Sequence, residues 1–271
     1  MSRPGNFDHM VGTDFHLAHS FLSPPGALRL DDIMSEVFQT FSRDRRESER
    51  GPPFAVLKFA CHNTADPTQQ GFLRVYIQIP YDNTIRGSRE ARALQAEPSP
   101  THNEYEALVA LETNTSMAVP NLLGYGQGKQ GPEAYVPRGY VLYVAWERIS
   151  GSPIDPQIFW REDNQQYRDE VRAAFAVAYR RVSSLVFMVS RYGSKSLTYT
   201  RELNRFRWKP AIYGMRNLIY DEASKRIYIA GFSSAKKDED KPLSPIRYAL
   251  WGLMKHPDKD TWHLDQSEWT W

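Results

Sequence analysis

The chain has 271 residues, with 34 Lys+Arg against 32 Asp+Glu for a formal net charge of +2, and 41% of its positions are apolar. So even a balance gives no electrostatic reason to expect a nucleic-acid or anionic-membrane partner, and so much apolar material marks a folded chain rather than a disordered one. A single cysteine, Cys61, excludes a disulfide framework and a cysteine-based metal cluster, while 7 Trp, 15 Tyr and 13 Phe give a heavy aromatic load.

Residues 1–25 are rich in Gly, Pro and His without periodicity and read as a loosely packed arm; the opening MSRPGNFDHMVGTDF has no apolar run of the signal-peptide kind. No apolar stretch approaches the ~20 residues that span a bilayer, so cytoplasmic residence is the expectation. Arg43–Arg50 is a charge-dense run that reads as a solvated loop. Short apolar strands follow at Phe54–Phe59 and Leu73–Ile79; in the second, Val75, Ile77 and Ile79 share one face at period two. The polar stretch from Pro80 to Pro100 reads as a mobile, lid-like loop. Its Arg86, Arg89 and Arg92 are either exposed loop charge or an anion-recognition set. Thr101 caps a predicted helix running to about Glu112, with Tyr105, Leu108 and Val109 at helical steps.

Val119-Pro120 stops that helix, and Gly124, Gly126 and Gly128 lead into a strand at Tyr140–Ile149. The longest helical pattern is Tyr167–Arg191, with Val171, Phe175, Ala178, Val182 and Val189 on one stripe. After an irregular segment, Asn217–Tyr220 and Arg226–Phe232 read as a β-hairpin turned at Asp221-Glu222-Ala223-Ser224. Lys236–Lys241 reads as a charged loop and Ile246–Lys255 as a short closing helix. Strands dominate the first half and helices the second, which suggests two lobes joined near Glu147–Pro153.

In order, the chain carries Ala55-Val56-Leu57-Lys58 on a strand, Glu104 on a helix, Tyr143-Val144-Ala145-Trp146-Glu147 ahead of the joint, and a long helix. Asn217 then precedes a strand ending in Gly231-Phe232. This running order resembles a protein-kinase fold and is similar to the small kinase-like and aminoglycoside-phosphotransferase-like proteins of filamentous fungi, over residues 50–255. The resemblance implies an α+β, two-lobed fold with a β-rich N-lobe and a reduced helical C-lobe. Residues 1–50 would form an arm and the start of the N-lobe, 51–150 the N-lobe with an insertion at 71–100, and 151–271 the C-lobe. It casts Lys58 as the phosphate-binding lysine, Glu104 as its helical partner and Asn217 as the end of the catalytic loop.

The same resemblance exposes losses. The position five before Asn217, where a kinase needs its catalytic aspartate, is Ile212, and the position before Phe232, where the metal-binding aspartate belongs, is Gly231. Neither side chain can hold a hard divalent cation. No glycine lies between Leu28 and Arg50, so no glycine-rich loop covers a triphosphate. The expectation is therefore a pseudokinase-type protein with no cofactor or metal, binding or scaffolding through an interlobe cleft. Its partner would be an apolar or aromatic small molecule, or a protein. Tyr143, Trp146, Tyr213 and Phe232 are the candidate pocket residues. Two alternatives stand beside it. One is a repurposed enzyme of fungal secondary metabolism, using Lys58, Glu104 and Asn217 for cyclisation, isomerisation or dehydration. The other is a residual small-molecule phosphotransferase. Lys58 and Glu104 stand either as a tie between helix and sheet or as an open catalytic pair, and Asn217 either as a turn residue or as a ligand.

Overall fold

In a computed structural model the described residues are 7–40, 51–98, 103–112, 118–184, 207–209, 214–230, 232, 235–238, 243 and 245–255. The charged run 41–50, Tyr213, Ile212, Gly231 and the last turns expected of the long helix lie outside them. The chain divides into two compact units: Met1–Tyr105 with Leu122–Ile149, and Glu106–Asn121 with Ser150–Trp271. The whole is a mixed α+β protein with one dominant curled sheet.

The first unit is built on β1 (Asp14–Phe15), β2 (His19–Ser20), β3 (Leu28–Gln39), β4 (Phe54–Asn63) and β5 (Asp66–Gln78). Helix α1 (Arg89–Ala93) follows, then α2 (Asn103–Glu112), of which the residues up to Tyr105 belong to this unit and the rest to the second, and then β6 (Leu122–Lys129) and β7 (Tyr140–Glu147). The strands form one antiparallel sheet in the order β1-β3-β4-β5-β7-β6-β2. Its opposite edges are β1 and β2, separated by three residues of chain, so one segment, Asp14–Ser20, pairs with Leu28–Arg29 at its start and with Gly124–Tyr125 at its end. So short a strap can reach both edges only if the sheet curls round on itself.

Alternation along β4 and β5 decides what fills that curl. Ala55, Leu57, Phe59 and Cys61 from β4 point inward with Leu73, Val75 and Ile77 from β5, all buried in one apolar core with Leu28, Leu30 and Leu123. A strand buried on this face throughout resists register slip, because one residue of shift would turn its whole apolar set outward. The arm expected at 1–25 belongs to this core: Phe7 is 2% exposed and stacks with Phe38, and Leu22 is buried. Aperiodic sequence concealed it, since single anchors and two-residue strands leave no repeat to read.

The lid-like loop is also corrected. A 3-10 turn at Asp82–Thr84 and helix α1, capped by Ser88 Oγ on the Ala91 amide, occupy it. It is tied down by Gln78, whose Nε2 donates to the Gln95 carbonyl at 2.6 Å, and by Gln95 Oε1, which accepts from the Tyr81 amide at 3.2 Å. Two of the long strands of this sheet carry no expectation from sequence: β3, and β6 with its glycines. Gly126 is there because a Cβ would lie 2.3 Å from the Tyr143 hydroxyl.

The second unit contains β8 (Ser152–Pro153), α3 (Pro156–Phe159), α4 (Gln165–Ser184), β9 (Arg207–Lys209), β10 (Leu218–Asp221), β11 (Arg226–Ile229), β12 (Lys236–Asp238) and α5 (Pro245–Leu250). The expected hairpin is β10–β11, extended by β8 into a three-stranded sheet. Asp221 shapes its turn by accepting from Ser224 Oγ, the Ala223 amide and Ser150 Oγ. Helix α4 packs on β11 through a buried stripe of Val171, Phe175, Ala178 and Tyr179, and the Phe175 ring meets Tyr248 and Trp251 at 5.4 and 5.8 Å. The charged loop expected at Lys236–Lys241 begins as β12, paired antiparallel with β9. Charge did not prevent a strand there because ladder bonds come from the backbone.

Candidate functional site

The inward face of the large sheet carries the apolar core, and a cluster of polar and charged side chains lies on its outward face. On β5 that face carries Phe72, Arg74 and Tyr76, and on β4 it carries Lys58; Lys58 and Arg74 stand directly opposite each other in the ladder. Two like charges so placed repel. The first turn of α2 supplies the compensation. Glu104, 4% exposed, accepts from Arg74 Nη1 on one carboxylate oxygen and from the Tyr76 hydroxyl on the other. The carboxylate expected to serve Lys58 is thus bonded by Arg74 and Tyr76.

Lys58 turns to aromatic surfaces instead. Its Nζ lies 4.1 Å from the Phe72 ring centroid and 5.8 Å from Trp146, while the Arg74 guanidinium lies 5.4 Å from Trp146. Cations over ring faces gain about 0.5–2 kcal/mol, more as water is removed. Burial lowers the Lys58 pKa from its ordinary value, and Arg74 lowers it further, against an opposing pull from Glu104. Burial also opposes the Arg74 charge, yet Glu104 and Tyr76 together hold that guanidinium above its usual pKa. The Tyr76 phenol is pushed well above the normal range by burial and then by the Glu104 charge. The cluster brings an amine, a guanidinium and one carboxyl group together beside two half-buried rings. Arg74 Nε is buried there without an acceptor.

Lys58, Glu104 and Trp146 are therefore brought together, within the first unit. Tyr143 is not among them. Three positions separate it from Trp146, so strand alternation sends it to the opposite, inward face. There it is 9% exposed, accepts from the Ala18 amide at 3.0 Å and meets Phe15 edge-on at 4.9 Å. Asn217 and Phe232 lie in the second unit. Asn217 ends a 3-10 turn, its amide donating to Gly214 O and its carbonyl accepting from the Ala230 amide; Phe232 is 3% exposed. The residues that sequence reading passed over are Phe72, Arg74 and Tyr76. A signal for them existed: Val75, Ile77 and Ile79 claim one face of that strand, which places Arg74 and Tyr76 side by side on the other. An arginine beside a tyrosine, with the next helix opening on a glutamate, is a charge pattern asking for a partner.

Among the described residues no group of three or more His, Cys, Asp or Glu side chains is placed to hold a metal ion. No described helix is long and apolar enough to cross a membrane.

No family model and no curated protein sequence matches the chain. Among solved structures it is similar to the Cydia pomonella granulovirus kinase PK-1, with a TM-score of 0.33 and 8% identity over 74% of this chain. That match spans 52% of the viral kinase, about half its length. It is also similar to an aminoglycoside-phosphotransferase-like protein from Ralstonia eutropha, with a TM-score of 0.39 and 11% identity, covering 84% of this chain and 72% of that one.

Proposed function

We propose that the chain is a kinase-related binding protein that does not transfer phosphate. The observation that carries this reading is the saturated Glu104 carboxylate, held by Arg74 and Tyr76 on the strand preceding α2. In a protein kinase the strand before that helix supplies a lysine, whose ammonium holds the nucleotide phosphates while the helical glutamate positions it. β5 is the third long strand of the sheet, after β3 and β4, so the equivalent cation here is Arg74 and not Lys58. A guanidinium locked to a carboxylate, with its Nε buried, is a structural tie rather than a phosphate ligand. The sequence points the same way, since Ile212 and Gly231 stand where phosphoryl transfer needs aspartates.

What remains on this face is an amine beside two neighbouring half-buried rings, Lys58 with Phe72 and Trp146. Such a surface suits an aromatic or apolar small molecule that extends the stack. The second reading, a repurposed enzyme, is favoured by the placement of Lys58 directly opposite Arg74 and against the Phe72 ring, where burial and the facing guanidinium lower its pKa and move the amine toward acid–base use.

The test is a thermal-shift titration of the whole chain with ATP and Mg²⁺, alongside a phosphate-transfer assay. No stabilisation and no Mg²⁺-dependent transfer is the expected result. Transfer that requires Mg²⁺ and is lost in Arg74→Met overturns the reading.

A further inference from the structure

A second site lies on the other side of the same unit. The N-terminal 3-10 turn Asp8–Met10, helix α1 and the loop between β6 and β7 enclose a cavity of about 340 Å³. That is the small end of the range for small-molecule sites, roughly 300–1,000 Å³. Its walls include Phe7, Met10, Ile77, Tyr135, Glu133 and Arg92. The rings of Phe7 and Tyr135 meet edge-to-face at 5.3 Å, so the apolar wall is preformed.

The charged groups around the cavity are not all bonded. Glu133 is ion-paired to Arg89, which also donates from Nε to the Pro132 carbonyl at 2.6 Å. Glu90, exposed on the same helix as Arg92, is held by its own amide and by the Ser88 hydroxyl, and feels Arg89 and Arg92 only through space. Gln130 is fully employed, its Nε2 donating to the Gln78 carbonyl and its Oε1 accepting from the Val136 amide. Arg92 is the exception. Its Nε is buried with no acceptor, and among the described residues its guanidinium forms no hydrogen bond or ion pair. A half-buried guanidinium without an acceptor is costly to keep, and a carboxylate matches its fork in two parallel bonds.

We propose that this cavity binds a small organic monoanion, a carboxylate carried on a flat apolar body. The carboxylate caps Arg92 and the body lies between the Phe7 and Tyr135 rings and Met10. One guanidinium fork without an acceptor calls for one carboxylate, and the cavity volume excludes anything much larger than a single substituted ring. The site shares no residue with the Lys58–Arg74–Glu104 cluster and does not depend on the function proposed above.

The probe is benzoate, titrated calorimetrically into the whole chain, with the neutral isostere benzamide as control. Saturable benzoate binding is expected, weakened about tenfold or more in Arg92→Met, with benzamide failing to saturate. Arg92→Met removes an unsatisfied donor, so its melting temperature should equal or exceed that of the parent. Arg92→Lys, which keeps the charge and loses the fork, should bind benzoate with intermediate affinity. The proposal is overturned if benzoate does not saturate the parent chain, if benzamide binds equally well, or if both Arg92 variants bind benzoate as the parent does.

Discussion

Lys58 shows how one side chain can be held by surroundings that oppose its charge. Burial and the facing Arg74 both lower its pKa, so between the folded value and the ordinary 10.5 the unfolded chain binds more protons than the folded one. Stability then rises with pH through that window, because a charge disfavoured in the fold is being discharged. Replacing Lys58 by Met removes this dependence. The variant should match or exceed the parent in urea midpoint at pH 7, and the difference should shrink as the pH approaches 10. Equilibrium unfolding at the two pH values checks it; a variant that loses stability at pH 7 would show that contact with Phe72 and Trp146 outweighs the cost of burial.

At the scale of elements, the tie between α2 and β5 carries the local architecture. Removing one partner of a buried ion pair strands the other, at about 3–5 kcal/mol, whereas replacing both by apolar groups is often nearly neutral. Glu104→Gln should therefore cost about 3 kcal/mol, because the Arg74 side chain is only 17% exposed. Tyr76→Phe should cost about 1 kcal/mol. The double variant Arg74→Met, Glu104→Leu should recover much of the first loss, and denaturant midpoints of the three measure it. Much of this arrangement was legible. Strand β4, the helix from about residue 103 and the β10–β11 hairpin follow from period-two and helical spacing. The partners of Glu104 are harder to read, because Lys58 and Arg74 face each other across the ladder and only the fold shows which of them the carboxylate meets. β3, Leu28–Gln39, is hidden because it mixes Asp31, Asp32, Ser35 and Glu36 with apolar residues and so shows no clean period. β6 was hidden for the opposite reason, since glycines that make room for Tyr143 read as a loop.

At the scale of the molecule, the aromatic surplus is divided among several tasks rather than gathered in one pocket. Phe7, Phe38 and Tyr135 anchor the N-terminal segment, Phe72 and Trp146 receive Lys58, and Phe175, Tyr248 and Trp251 build the core beneath α4. Composition announces such a surplus but cannot apportion it, because the apportioning depends on which contacts distant in sequence are made. Tyr143 is the clearest instance: from sequence a ligand-facing residue beside Trp146, in the fold a buried acceptor for Ala18.

The strap Asp14–Ser20 has a consequence for how copies of this chain behave together. Exposed strand edges are templates on which a second molecule can add its own strand. The strap and its immediate flanks, Gly12 to Phe21, cover Leu28–Leu30 on one border and Leu123–Tyr125 on the other, stretches that contain the buried Leu28, Leu30 and Leu123. Where its cover ends on β3, the next residues are the exposed Asp31 and Asp32, whose charges discourage pairing. Deleting residues 1–20 would uncover both borders at once. The shortened chain should self-associate, with light scattering rising with concentration while the parent stays unchanged. Seven residues that look like slack at the start of the chain thus act as a guard against aggregation.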